Sequence, residues 1–344
     1  MLNHKDAQLA QLIFRLLKQA TSQQLVKNFL KEKNIPTSAL NWDDLFAKRI
    51  EPALNESKIT IDELRSLLKD VEEFGRQHTF LFRCPPETAK KIISRVRIEK
   101  IAEEQKLTSL LTTPLDLELP EDPTLVDIRI IQPDKNQPPT GLVIKMVETR
   151  ITKVLLAETT DFDAGRMTKT YSVSRKRAVN IAHLDANGLL ELRIASRDNQ
   201  SRYLDNLKAL QVKISKFIPR DGFAPVSLST AKDKLLNNRK MLANEIRYSH
   251  SSARNDFGFV MNVSSSSQEE NLSTDDGSMA ALDSFLANEG HVTGTNIYVK
   301  IPDAEPQREI HILLSGEVNE FAVPIWCSSG DYAYVRGKIL TLNQ

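Results

Sequence analysis

The chain has 344 residues, of which 40% are hydrophobic and 26% charged, with two cysteines and a formal net charge of +1. That length suits two domains with a sizeable buried core, and the composition is that of a soluble globular protein. No stretch approaches the roughly 18 consecutive apolar residues of a membrane span, the first twenty residues lack the features of a secretory signal, and Cys84 and Cys327 stand too far apart to build a thiolate cluster. Free thiols in a reducing compartment are expected, with a single disulfide left open.

The first hundred residues read as helices. "KDAQLAQLIFRLLKQA" places Leu9, Leu12, Ile13, Leu16 and Leu17 at helical spacing, and "SQQLVKNFLKEKNI" opens on Ser22, a good N-cap. "NWDDLFAKRIEPAL" follows, with Pro52 expected to end or kink it. "TIDELRSLLKDVEEFG" carries Thr60 and Glu63 in capping-box spacing and closes at Gly75. A short β-prone run, "QHTFLFRC", leads to a basic helix, "ETAKKIISRVRIEKIAEEQ".

The acidic, proline-bearing stretch 107–123 reads as a linker or exposed edge. Beyond it the period becomes two: "LVDIRIIQ", "GLVIKMVETRITKVLLAET", "TKTYSVS", "RAVNIAHL" and "GLLELRIAS" read as successive antiparallel strands, with Asn187-Gly188 as a turn. A helix over 202–218, a second near 230–247, a strand in "FGFVMNVS", a polar loop "SSSSQEENLSTDDGS" and a short helix at 278–289 come next. "TNIYVKI", "EIHILLSG", "FAVPIWCS" and "YAYVRGKIL" read as three or four final strands. The fold class is therefore α+β: a helical domain over 1–106, a linker over 107–123, and a mixed domain over 124–344 with an antiparallel sheet, basic from 124 to 250 and acidic from 251 to 344.

No catalytic constellation emerges. The six histidines fall outside metal-ligand spacing of one another and of the cysteines, and there is neither a phosphate loop nor a nucleophile elbow. No enzyme, metal or cofactor is expected. The charge distribution points to binding instead. Residues 151–250 hold 18 Lys and Arg against 10 Asp and Glu, whereas residues 251–344 hold 5 against 13. A basic middle and an acidic end suggest a polyanion on one surface and a different partner on another, or a self-complementary fold with no ligand. The candidate contacts are Lys169, Arg175, Lys176, Arg177, Arg197, Arg202, Lys213 and Lys216. Arg175, Lys176 and Arg177 read as a basic turn between two strands. On the helix that follows, Tyr203, Leu207, Leu210, Ile214 and Phe217 share a core stripe, with Arg202, Lys213 and Lys216 on the far side. Such cations give salt-sensitive, sequence-independent attraction to nucleic acid, and no base-reading motif accompanies them.

The block "SRYLDNLKAL" at 201–210 resembles the Ser-Arg-Tyr-Leu-Asp-x-Leu-Lys-Ala block of the centromere protein N family. "RAVNIAHLDANGLLELR", "LIFRLLKQATSQQLVKNFL" and "ITIDELRSLLKDVEEFGRQHTFLFR" are similar to the family's strand pair, N-terminal helix pair and last bundle helix, so the likeness extends over about residues 5–218. The resemblance implies a pyrin- or death-fold-like helical bundle followed by a mixed domain, in a non-enzymatic nuclear adaptor of the kinetochore that reads centromeric nucleosomes containing variant histone H3. It implies nucleosome contacts through Arg15 and Arg202, nucleosomal DNA as ligand, a paired subunit such as centromere protein L on the C-terminal region, and no membrane. Phe14 stands where the family often has a second basic residue. The alternatives are a DNA-binding or sensor module of a prokaryotic, for example defence, system sharing the fold, and a nucleic-acid-processing enzyme.

Overall fold

The computed structural model describes residues 2–134, 136–196, 203–267, 269–302 and 307–344. The chain is mixed α+β, with an N-terminal helical region and a large antiparallel sheet of 11 strands among the described residues. It divides into two compact units: one takes residues up to 68, 99–129 and 143–180, and the other takes 69–98, 130–142 and 181–344.

The first unit begins with helices α1 (His4–Ala20), α2 (Gln23–Glu32), α3 (Trp42–Leu45), α4 (Glu51–Asn55) and the start of α5 (Ile61–Glu73). Ile13, Leu16, Leu17, Val26, Leu30, Leu45 and Ile50 are buried with almost no exposure. Thr60 and Glu63 form the expected reciprocal cap: the Glu63 backbone N–H donates to Thr60 Oγ1 at 3.1 Å, and the Thr60 N–H donates to Glu63 Oε2 at 2.8 Å. Ser22 occupies the N-cap of α2 without a side-chain capping bond. Pro52 does not end its helix. It stands within a continuous helical run, directly after a π-helical turn at Phe46–Ile50 that shifts the hydrogen-bond ladder just before it.

The acidic segment before β2 (Thr124–Ile131) is tied down within this unit. Asp116 accepts from Arg65 at 2.9 Å, Glu118 accepts from Gln19 at 2.7 Å, and the Leu115 N–H bonds the Val126 carbonyl at 2.7 Å. Strands β3 (Gly141–Asp161) and β4 (Arg166–Asp185) then run unbroken for 21 and 20 residues.

In the second unit, β1 (Gly75–Arg83) lies between β5 (Leu189–Ala195) and β11 (Glu320–Trp326). Alternate residues of β1 therefore look to opposite layers. Phe80 and Phe82 stand opposite Leu192 and Leu190 on one face, while Thr79 and Leu81 stand opposite Arg193 and Glu191 on the other. The basic run after β1 is two helices, α6 (Pro86–Ile92) and α7 (Arg95–Glu104). Helix α8 (Leu204–Ile214) is shorter than the 202–218 expected, and buries Leu207, Leu210 and Ile214. Next come β6 (Ala224–Pro225), α9 (Ser229–Asn237), α10 (Arg239–Leu242), β7 (Ile246–Asn255), β8 (Val260–Ser264), α11 (Asp276–Ala287), β9 (Gly290–Lys300) and β10 (Glu309–Leu313).

"YAYVRGKIL", read as a strand, is part of helix α12 (Ser329–Leu342). The reason is the N-cap: Ser328 and Asp331 form a complete capping box, after which Tyr332, Val335 and Ile339 fall on one buried stripe. Among the described residues, no helix is long and apolar enough to cross a membrane.

Candidate nucleic-acid interface

Strands β3 and β4 form a hairpin turning at residues 162–165, with Gly165 at φ +59°. At its foot the hairpin is anchored by a polar knot. Asn180 Nδ2 and Arg150 Nε both donate to Glu148 Oε1, at 3.1 and 2.8 Å, and Thr149 Oγ1 donates to the Pro120 carbonyl at 2.6 Å. Farther out the strands leave the core: residues 153–160 and 166–176 are all exposed.

Side chains alternate between the faces of such a ribbon. The ion pair between Lys169 Nζ and Glu158 Oε2, 3.1 Å, fixes which sets share a face. One face carries Val154, Leu156, Met167, Tyr171 and Val173, each between 46% and 65% exposed, together with Lys169 and Arg175. The opposite face carries Lys153, Thr168, Thr170, Ser172, Ser174 and Lys176, with the exposed Ile151 and Leu155 among them and the two lysines at the foot end of the hydroxyl row.

Arg175, Lys176 and Arg177 are not at a turn, and they do not form one patch. They lie within β4, where the pleat sends neighbours to opposite sides. Arg175 and Lys176 are exposed on opposite faces. Arg177 belongs to the foot: its Nε donates to the Leu117 carbonyl at 2.7 Å, and burial lowers its pKa to about 10, still cationic at neutral pH.

Arg15 is on α1, exposed, with its Nε 3.5 Å from Glu118 Oε2, so a carboxylate of the same unit occupies it through a weak surface pair. Lys213 and Lys216 belong to the second unit and are exposed, Lys213 in the last turn of α8 and Lys216 just beyond it. Arg197 and Arg202 lie outside the described residues. Sequence reasoning missed Lys153 and the hydroxyl row of β4. The available signal was the unbroken alternation from Arg166 to Asp185, obscured by the assumption that three successive basic residues mark a turn.

A second polar cluster, in the other unit, surrounds a fully buried carboxylate. Glu191, 1% exposed, lies 2.9 Å from Arg193 and accepts from the Tyr332 hydroxyl at 2.8 Å and from Arg336, with His183 at 3.4 Å. Burial alone would raise the Glu191 carboxyl, but Arg193, His183 and Arg336 hold it well below the usual carboxylate range. A carboxylate so satisfied has no spare basicity for proton transfer. Cys84 and Cys327 are both free and buried, and burial pushes the Cys327 thiol up to about 12, the reverse of what a nucleophile needs. Among the described residues, no group of three or more His, Cys, Asp or Glu is placed to hold a metal ion. The chain matches no protein-family model, and no curated protein matches it significantly.

Proposed function

We propose that the chain is a non-catalytic adaptor that grips duplex DNA with the hydroxyl-and-lysine face of the β3–β4 ribbon. The observation that carries the reading is the row Thr168, Thr170, Ser172, Ser174 and Lys176, exposed on one face of a two-stranded ribbon. Ser, Thr and Lys side chains bond phosphate oxygens without reading sequence, and a β-ribbon is narrow enough to enter the major groove. In the centromere protein N reading, the DNA is nucleosomal and carries variant histone H3. There, the N-terminal helices are a pyrin- or death-fold-like bundle, Arg15 and Arg202 add nucleosome contacts, and the acidic 251–344 region takes a paired subunit such as centromere protein L within the nuclear kinetochore. Arg15 enters this reading at low cost, because only a surface pair with Glu118 has to be exchanged.

The test is fluorescence anisotropy with labelled duplex and with reconstituted variant-histone nucleosomes over a salt series. Binding whose affinity falls steeply with salt, and which weakens in Lys153→Ala/Lys176→Ala, supports the ribbon. Binding unchanged in that variant removes the ribbon from the interface. The duplex-contacting ribbon equally serves a DNA-binding module of a prokaryotic system, which would hold naked duplex as tightly as the nucleosome.

A further inference from the structure

On the opposite side of β1 from the Glu191 cluster, the second unit contains a cavity of about 350 Å³ between α8 and the sheet. Its floor is two cross-strand pairs, Phe80 with Leu192 and Phe82 with Leu190, and Leu207 and Ile214 of α8 form a wall. These are among the most completely buried side chains of that layer, Leu192 at 0%, Phe80 at 1% and Ile214 at 1%. The volume falls within the roughly 300–1,000 Å³ of small-molecule sites.

The lining is not uniformly apolar. Lys208 and Arg220 border the cavity, both exposed, and Glu317 is the only carboxylate among the described lining residues. Two cations against one anion around an apolar floor give the opening a positive bias. Lys208 lies one residue beyond Leu207, so α8 turns an apolar side chain into the cavity while holding a cation at its edge. Sites of this build take ligands with a hydrophobic body and a single anionic group, since the body replaces water on the floor and the charge remains at the rim.

We infer that this cavity is a binding site for a small amphipathic anion, an alkyl carboxylate in chemical class, with the chain against Phe80, Leu192, Leu207 and Ile214 and the carboxylate between Lys208 and Arg220. The site is separate from the ribbon reading and stands or falls without it.

The experiment uses the full chain and three probes of equal chain length below their micelle concentrations: decanoate, decanol and decyltrimethylammonium. Calorimetry and the thermal midpoint read binding, since a ligand of the folded state raises that midpoint. The expected result is saturable decanoate binding, weaker decanol binding and no detectable binding of the cation. Lys208→Gln/Arg220→Gln, both surface changes, should weaken decanoate by about tenfold or more and leave decanol unchanged, as expected for removal of a charge-assisted bond. Leu207→Trp, checked for a retained cooperative transition, should fill the cavity and abolish both. Absence of decanoate binding overturns the proposal, as does decanoate binding that the Lys208/Arg220 variant leaves intact. Equal binding of all three probes also overturns it.

Discussion

The guanidinium of Arg193 lies 4.4 Å from the centre of the Tyr332 ring, stacking a buried cation on the aromatic whose hydroxyl bonds the same carboxylate, Glu191, that neutralises that cation. Strand β5 and helix α12 are thus joined by a closed circuit of charge, ring and hydroxyl. Removing one member leaves the others buried and uncompensated. Glu191→Gln should destabilise the fold by about 3–5 kcal/mol, the typical result of breaking a buried ion pair from one side. Tyr332→Phe, which deletes the hydroxyl's hydrogen bonds to Glu191 and Thr79, should cost about 1–3 kcal/mol. Urea denaturation of both variants beside the parent gives the comparison; midpoints equal to the parent's would show that the circuit contributes nothing to stability.

The same cluster sets an acid limit. Glu191 has a folded pKa depressed from its ordinary 4.5, so its contribution to stability is present above that value and fades as the pH falls toward the folded pKa. His250 and His311 are also depressed from 6.5, chiefly by burial, with Arg247 adding to the effect at His311. In their case the unfolded chain takes up the proton first, so stability begins to fall as the pH drops below 6.5. Denaturation midpoints should therefore decline in two stages, the first starting near 6.5 and the second below 4.5. His311→Gln should flatten the first stage; an unchanged pH profile in that variant argues against the assignment.

Arg175, Lys176 and Arg177, adjacent in sequence, should separate experimentally. Arg177→Ala orphans the Leu117 carbonyl and should lower stability by about 1–3 kcal/mol. Arg175→Ala and Lys176→Ala alter exposed positions and should leave the thermal midpoint in place. If the ribbon holds DNA, removing each cation that neutralises a phosphate should reduce the slope of log affinity against log salt by about 0.9. A midpoint that falls equally in all three variants would contradict the division between foot and arm.

Gly188 tests the β4–β5 turn. It has φ +90°, and a Cβ there would stand 2.0 Å from the Cys84 carbonyl oxygen, while its own carbonyl accepts the Cys84 N–H at 3.0 Å. Backbone meets backbone at this point, so no side chain can move aside. Gly188→Ala should destabilise by more than the roughly 1 kcal/mol of an ordinary glycine-to-alanine change, or prevent folding outright. A variant with wild-type stability by thermal melting would show that the turn relaxes freely.

Much of the molecule could be read from periodicity, and the misreadings have local causes. Of the stripe Tyr203, Leu207, Leu210, Ile214 and Phe217, the three residues within α8 are buried as the helical spacing required, Phe217 is buried beyond the helix end, and Tyr203 is only partly buried. β5 alternates Leu190, Leu192 and Ile194 with Glu191 and Arg193, which from sequence resembles a strand with one wet face. All of these side chains are buried, because α12 supplies Tyr332 and Arg336 to the charged face. That helix was itself hidden, since Tyr332, Tyr334 and Arg336 mimic a period of two while the Ser328–Asp331 cap lies just upstream. At the candidate interface the cations could be found from composition, but their orientation could not. Only the pleat of an uninterrupted strand divides Arg175 from Lys176, and only the loop carbonyl of Leu117 claims Arg177.

The place of β1 has a consequence for the timing of synthesis. Residues 75–83 leave the ribosome well before one of their two main neighbours, β11, at 320–326, and the Leu81 carbonyl is bonded by the Asn319 side chain. Roughly 240 intervening residues must emerge before that edge is covered, which makes the pairing slow to form and leaves an open strand edge in the nascent chain. Translation of β11 is therefore the step that closes the middle of the sheet, and chains interrupted before it expose β1 to chaperones, proteases and one another.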